Sequence, residues 1–216
     1  MNESTITLIR HGETAGQSSI RLYGATDIPL STVGLAQAEA TATHVASQPM
    51  DTLITSPLRR ARAFAEALHA RHPSPPPLTV IEAFREVDFG SWEGWTMEEV
   101  RDRDPEGFAR WETERDTFTY PGGSHRPSFT ANIRAAALEV FEPEGMQPGH
   151  HTVAALHKGV IKVILAGLLR RETPLAIPVD LASIHVLKGR PGHWRATASN
   201  LTSHLPQALH IPDIPV

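Results

Sequence analysis

The chain contains no cysteine, which excludes a disulfide framework, a thiolate metal site and a cysteine nucleophile. It also lacks an excess of positive charge. Lys and Arg total 20 against 24 Asp and Glu, a formal charge of -4 over 216 residues, so no broad basic field exists to gather a nucleic acid. No apolar run reaches the length of a membrane helix, and the start Met1-Asn2-Glu3-Ser4 is unlike a secretory leader. These absences predict a cytoplasmic protein that binds neither nucleic acid nor membrane. Neither Gly-x-x-x-x-Gly-Lys-Ser/Thr nor Gly-x-Gly-x-x-Gly occurs, which excludes the common nucleotide-binding loops. Despite 12 histidines, no His-Glu-x-x-His spacing and no close carboxylate-histidine set is found, so chemistry without metal or cofactor is expected.

What is present reads as alternating strands and helices. Thr5-Ile6-Thr7-Leu8-Ile9 has the branched, apolar character of a buried strand. Thr32 to Val45 repeats small and apolar residues at three- and four-residue spacing, with Ser31 or Thr32 able to cap it. Asp51 to Thr55 reads as a strand, Ser56-Pro57 as the start of a helix to about His69, and Leu78 to Ile81 as a third strand beyond a rigid proline-rich connection. A helix is expected near Phe129 to Phe141. Thr152 to Leu156 reads as a buried strand leading into a helix from Val160 to about Leu169. Further strands are expected around Ala176 to Val179, Ile184 to Leu187 and Trp194 to Ala198. The pattern predicts an α/β three-layer sandwich, with a mostly parallel central sheet flanked by helices. Its length suits one domain spanning residues 1–216, with a lid or specificity insertion around 92–125 carrying Trp92, Trp95 and Trp111.

In such sheets ligands gather beyond the carboxyl ends of the strands. His11 and His157 each follow an apolar strand and are therefore expected to converge at that edge. Leu8-Ile9-Arg10-His11-Gly12-Glu13-Thr14 sets an imidazole beside an arginine at a strand exit. A neutral imidazole can attack phosphorus and carry the phosphoryl group covalently. The arginine fork suits the peripheral oxygens of that group. Arg60, near the start of a helix, is a second candidate clamp, and the helix amino end favours an anion. Arg59 and Arg62 are expected at the surface, and Phe64 in packing. A carboxyl is needed to protonate the leaving oxygen. Glu82, Glu86, Asp88 and Glu93 all compete for that role on residue type alone. His150 and His151 precede their strand and are expected in a loop on the side away from the site.

Taken in order, five blocks resemble the histidine phosphatase superfamily, the phosphoglycerate-mutase-like enzymes. They are Arg10-His11-Gly12-Glu13-Thr14, Asp27 to Ser31 with Gly34 to Ala38, Ser56-Pro57-Leu58-Arg59-Arg60-Ala61, Glu86 to Gly94, and His157-Lys158-Gly159-Val160-Ile161-Lys162. The resemblance implies that His11 becomes a phosphohistidine, that Arg10, Arg60 and His157 hold the phosphoryl oxygens, and that Glu86 exchanges protons with the leaving oxygen and with water. Gln17 falls where many relatives carry a phosphate-touching asparagine. Lys158 replaces a common glycine after the second histidine, and Ser124-His125 follows Pro121-Gly122-Gly123 where relatives often have Glu-Ser. Arg21, Trp95, Ser124, His125 and Lys158 are therefore candidate specificity residues. The implied activity is hydrolysis of a small phosphorylated metabolite, with a homodimer as the assembly suggested by relatives. A cofactor-dependent phosphoglycerate mutase is the alternative, disfavoured because the chain is shorter and lacks that group's larger insertion. A non-catalytic phosphate-binding module is a third reading, which would not require both a nucleophile and a proton donor.

Overall fold

The computed structural model describes residues 3–173 and 177–211. Its strands are β1 (Ser4–Arg10), β2 (Thr52–Thr55), β3 (Leu78–Val80), β4 (His151–Leu156), β5 (Ile184–Arg190) and β6 (His193–Leu201), joined in one sheet of order β3-β2-β4-β1-β5-β6. β3, β2, β4 and β1 run parallel. β5 returns antiparallel to β1, and β6 antiparallel to β5. The antiparallel pair turns at Gly192, so the end of the sheet nearest the C-terminus needs no crossover helix.

Side chains alternate across the strands, and this alternation builds the layers. Ile6 and Leu8 of β1 and Ala154 and Leu156 of β4 pack beneath α5 (Arg126–Phe141) and α6 (Lys158–Leu168). Ile9, Val153 and Ala155 face the opposite way, toward α1 (Thr32–Val45) and α2 (Arg59–Arg71). Phe64 lies wholly within this second layer. The Ser31 hydroxyl accepts from the Gly34 amide at 3.1 Å and starts α1. Gly34 presses directly on the loop after β1, where an added Cβ would stand 1.9 Å from the Glu13 carbonyl oxygen.

Between β3 and α5 lie α3 (Met97–Arg103) and α4 (Pro105–Glu114), each with its own start signal. Thr96 and Glu99 form a capping box for α3. Asp104 caps α4 ahead of Pro105 and also accepts from the Trp92 indole at 2.8 Å. Trp92, Trp111, Phe118 and Tyr120 bury together with Leu22, Val87 and Val100, giving this segment a small apolar cluster of its own.

Two expectations need correction. Ile177 to Val179 is irregular rather than a strand, because it supplies backbone to the site instead of to the sheet; Ala176 lies outside the described residues. His151 is not in a loop: it opens β4, is buried, and bonds through Nε2 to the Thr7 hydroxyl at 2.9 Å. It does stand at the amino edge of β4, the edge away from His157. Among the described residues no helix is long and apolar enough to cross a membrane.

Candidate active site

β1 and β4 are parallel neighbours in the register Arg10 to Leu156, so the residues that follow them leave the sheet side by side. The imidazoles of His11 and His157 meet edge to face, with ring centroids 5.1 Å apart. Both rings are buried. His11 Nδ1 lies 2.7 Å from the Gly12 carbonyl oxygen, which can only accept, so Nδ1 carries the proton and Nε2 keeps its lone pair. Burial, followed by the charges of Arg60 and Arg10, drives the His11 pKa well below the ordinary imidazole value. A neutral ring with an unprotonated Nε2 is the nucleophilic form.

Arg60 is fully buried on the first turn of α2. Its Nη atoms donate to the carbonyls of Thr26, Tyr23 and Gly24, at 2.9, 3.2 and 2.7 Å, and its Nε reaches His11 Nε2 at 3.3 Å. Burial lowers its pKa, and the carboxylates of Glu86, Glu93 and Asp27 oppose that shift. The loop that fixes Arg60 is itself held by Glu93, whose carboxylate accepts from the amides of Gly24, Ala25 and Phe89. Arg10 donates through Nη1 to the Val179 carbonyl at 2.6 Å. Arg59 and Arg62 are exposed.

His157 stands at the amino cap of α6 and pairs through Nε2 with the Ser56 hydroxyl at 2.7 Å. Ser56 Oγ also accepts from the Leu58 amide, which fixes the hydroxyl against the ring. Among the described residues the buried Nδ1 has no hydrogen-bond partner. A polar atom buried without a partner is costly unless a ligand supplies one. His157 is also shifted well below the usual imidazole pKa, first by burial and then by Arg60.

Glu86 comes from the loop after β3. Its Oε2 accepts from the Gly159 amide at 2.8 Å and its Oε1 from the Val87 amide at 2.9 Å. A Cβ on Gly159 would lie 2.5 Å from Glu86 Oε1, so only glycine lets the carboxylate settle on the first turn of α6. Gly159→Ala is expected to leave the fold intact, because the displaced group is the flexible end of a side chain. Were Glu86 the proton donor, turnover should fall about 10- to 100-fold, less than the roughly 10²- to 10⁴-fold of losing such a group outright. Steady-state kinetics beside a thermal melt checks this, and unchanged turnover would mean that Glu86 needs no such seat.

A cavity of about 120 Å³ opens at this edge of the sheet, and its wall includes Arg10, His11 and Glu86 together with Ser18, Arg21, Tyr23, Phe89, Tyr120, Arg126, Phe129, Lys158 and Lys162. Two candidate specificity residues, Arg21 and Lys158, are thus on the wall. Arg21 is held there by the Gly94 carbonyl and by Glu99, at 2.7 and 2.8 Å.

The other three specificity candidates, and Gln17, expected at the phosphate, stand elsewhere. Gln17 is exposed, in a left-handed turn with φ 65°, and the neighbouring Ser18 takes its place on the wall. Trp95 packs beneath the Arg103 guanidinium, 5.0 Å from the ring centroid. Ser124 accepts from the Asp88 amide at 3.1 Å and ties the Pro121-Gly122-Gly123 turn to the loop of Glu86. His125 caps α5 in the open and bonds to the Ser128 hydroxyl at 2.9 Å. Residue type alone had no signal for Ser56 or Arg126, and it offered Glu93 only as a rival proton donor, whereas the carboxylate holds the loop around Arg60. Lys162 could have been found, since it lies four residues beyond Lys158 and shares its helix face. Among the described residues no group of three His, Asp or Glu side chains could hold a metal ion.

A parallel-stranded sheet with paired histidines and buried arginines at its carboxyl edge defines a phosphate-handling α/β protein, and its sequence places it further. A profile of the histidine phosphatase superfamily (branch 1) matches residues 6–202, and the chain belongs to that superfamily. It is 26% identical over 206 residues to the uncharacterized phosphatase PhoE of Bacillus subtilis, covering 94% of this chain and 97% of that one. It is 30% identical over 175 residues to a glucosyl-3-phosphoglycerate phosphatase of Mycobacterium tuberculosis, covering 79% and 77%. The structure of a phosphoserine phosphatase mutant from Entamoeba histolytica in complex with phosphoserine superposes with a TM-score of 0.79 at 26% identity, covering 94% of this chain and 100% of that one. Phosphatase activity is thereby supported at the level of the family.

Proposed function

We propose that the chain is a phosphomonoesterase that hydrolyses a small phosphorylated metabolite through a phosphohistidine at His11. The observation that carries this reading is the unprotonated Nε2 of a buried, neutral His11 lying between Arg60 and His157. The ester's phosphoryl oxygens take hydrogen bonds from Arg10, Arg60 and His157. The long 3.3 Å contact from Arg60 Nε to His11 Nε2 yields as phosphorus approaches that lone pair. The Nε2–P bond forms while the P–O bond to the alcohol breaks, and the departing oxygen takes the proton of the Glu86 carboxyl. Water then attacks phosphorus, returns one proton to Glu86 and breaks the Nε2–P bond, which releases orthophosphate. Fixed donors meet the transferring charge without reorganising, which is where most of the rate enhancement arises. No step calls for a metal ion or a cofactor.

Rapid quenching with a ³²P-labelled ester tests the reading. The parent should yield an acid-labile, alkali-stable phosphoenzyme and then free orthophosphate, and the His11→Ala variant should yield neither. Isomerisation of a phosphoglycerate without net phosphate release would favour the mutase reading instead. Phosphate binding with no turnover of any ester would favour the non-catalytic module.

A further inference from the structure

We infer that Asn200, near the end of β6, is a positioning residue for the phosphate clamp: together with Asp180 it fixes the Val179 carbonyl that aims Arg10. This inference rests on the hydrolase reading above, in which Arg10 holds a phosphoryl oxygen.

One peptide group links Asn200 to the arginine. The Val179 carbonyl accepts from Arg10 Nη1 at 2.6 Å, and the N–H of the same peptide, that of Asp180, donates to Asn200 Oδ1 at 2.7 Å. A peptide unit is planar, with its C=O and N–H pointing in opposite directions, so a bond made at one end sets the direction of the other. The two bonds also polarise each other, because a carbonyl whose N–H is donating becomes a better acceptor for a guanidinium. The bond to Arg10 is buried, so bulk water does not replace it when the carbonyl turns away.

Asn200 is itself held on two sides. Its Nδ2 donates to Asp180 Oδ2 at 2.7 Å, which makes the pair reciprocal, and its backbone N–H donates to His185 Nδ1 at 3.3 Å. It lies in the irregular stretch between the Val186–Ala198 and Ile184–Leu201 pairs of β5 and β6, with φ 51°. Asparagine enters that left-handed region far more readily than most residues, and such an irregularity in a ladder re-aims a side chain away from the regular alternation.

The residues between Val179 and β5 follow the site closely. Ser183 N–H donates to the Asp180 carbonyl at 3.1 Å and closes a turn. From that turn the Ala182 N–H donates to the His11 carbonyl at 3.2 Å, and the Ser183 carbonyl accepts from the Arg10 N–H at 3.0 Å. The backbone of both site residues is thus fixed by the end of the turn nearest β5. Asn200 acts at its other end, on the peptide that meets the arginine's side chain.

Glycine accepts a φ of 51° without strain, so Asn200→Gly removes the amide group and keeps the backbone bond to His185. With 4-nitrophenyl phosphate as substrate, this variant should lose about 10-fold in kcat/KM and bind vanadate about 10-fold more weakly, a part of the roughly 100-fold expected from removing the guanidinium in Arg10→Ala. In the Arg10→Ala background, Asn200→Gly should change kcat/KM by less than about 2-fold, because the carbonyl then has no guanidinium to aim. Asn200→Asp keeps the shape but sets a carboxylate against Asp180, and should lose activity as well. Combined with Asp180→Asn it exchanges the pair, since the carboxylate at 200 then accepts both the backbone and the side-chain N–H of residue 180, and kcat/KM should return to within about 3-fold of the parent. Thermal melts verify that each variant is folded, and the exchanged pair carries the test if the glycine variant is not. An unchanged kcat/KM in Asn200→Gly, an equal fold-loss with and without Arg10, or an exchanged pair no better than Asn200→Asp alone overturns the positioning role and leaves the hydrolase reading standing. An Arg10→Ala protein as active as the parent removes Arg10 from the clamp, and absence of phosphate release by the parent from any ester overturns the hydrolase reading itself; either result takes the positioning role with it.

Discussion

Replacing His11 by alanine is expected to lower kcat by about 10⁴-fold or more, because the proposed scheme runs through its Nε2 lone pair. His157 is the nearest imidazole, yet its Nε2 is engaged by the Ser56 hydroxyl. The variant should still bind phosphate. Arg60 keeps its three carbonyl partners at residues 23, 24 and 26, and Arg10 keeps Val179, so the donors stay in place without the ring. Calorimetry with orthophosphate or vanadate should therefore show affinity within a few-fold of the parent, while ester turnover disappears. The same geometry fixes the protonation state. With its pKa held below the imidazole range by burial and by two guanidinium groups, free His11 remains neutral at pH 6, where an exposed histidine is largely charged. Among the imidazole resonances of the parent that do not titrate between pH 7.5 and 5.5, which should include those of His157, His185 and His204, one should vanish in the variant. A His11→Ala protein that retains hydrolysis would remove the nucleophile from the scheme.

The parts of this site that were legible in the sequence are those tied to strand ends. His11 and His157 each terminate an apolar run that can only be a buried strand, and parallel pairing of β1 with β4 then brings them to one edge. α1 was readable to its first residue because Ser31 caps it and small residues recur along its buried face. Selection of Glu86 from four nearby acids needed the family resemblance, since the seat for its carboxylate is an amide of α6, 73 residues away. Contacts over such distances leave no local pattern. The segment from 92 to 125 misled for a related reason. Trp95, Ser124 and His125 look functional by composition, but a segment far from the main core must build its own, and it spends such residues on packing and turns. Arg126, hidden as an ordinary helix residue, faces the cavity instead. The expected strand before residue 180 failed because apolar composition does not distinguish backbone that pairs in a sheet from backbone that receives an arginine.

Acid should destabilise this protein well before its carboxylates are fully protonated, and His185 is expected to account for about 2–3 kcal/mol of that loss between pH 7 and pH 4.5. The ring lies in the middle of the sheet on β5, opposite Leu8 of β1, with no exposure to solvent. Nε2 faces the Ser183 hydroxyl at 3.3 Å, and Nδ1 accepts from the Asn200 amide at 3.3 Å, an arrangement that suits the neutral ring. Burial pushes its pKa from 6.5 to about 4, against the weaker opposing pull of Asp180. The unfolded chain takes up a proton near pH 6.5 that the folded chain refuses until about pH 4. Stability is therefore fully present above pH 6.5 and is lost as pH falls through that window. His204 is shifted the same way, to about 4, by burial and by His44 and His210, but its greater exposure makes its share smaller. Urea titrations of the parent and of His185→Gln at both pH values isolate what His185 contributes. The variant is expected to start less stable at pH 7, having lost a fitted ring, and then to fall by about 2 kcal/mol less than the parent on acidification. Parallel losses in the two proteins would show that the ring accepts its proton within the fold, and acid lability would then belong to other groups.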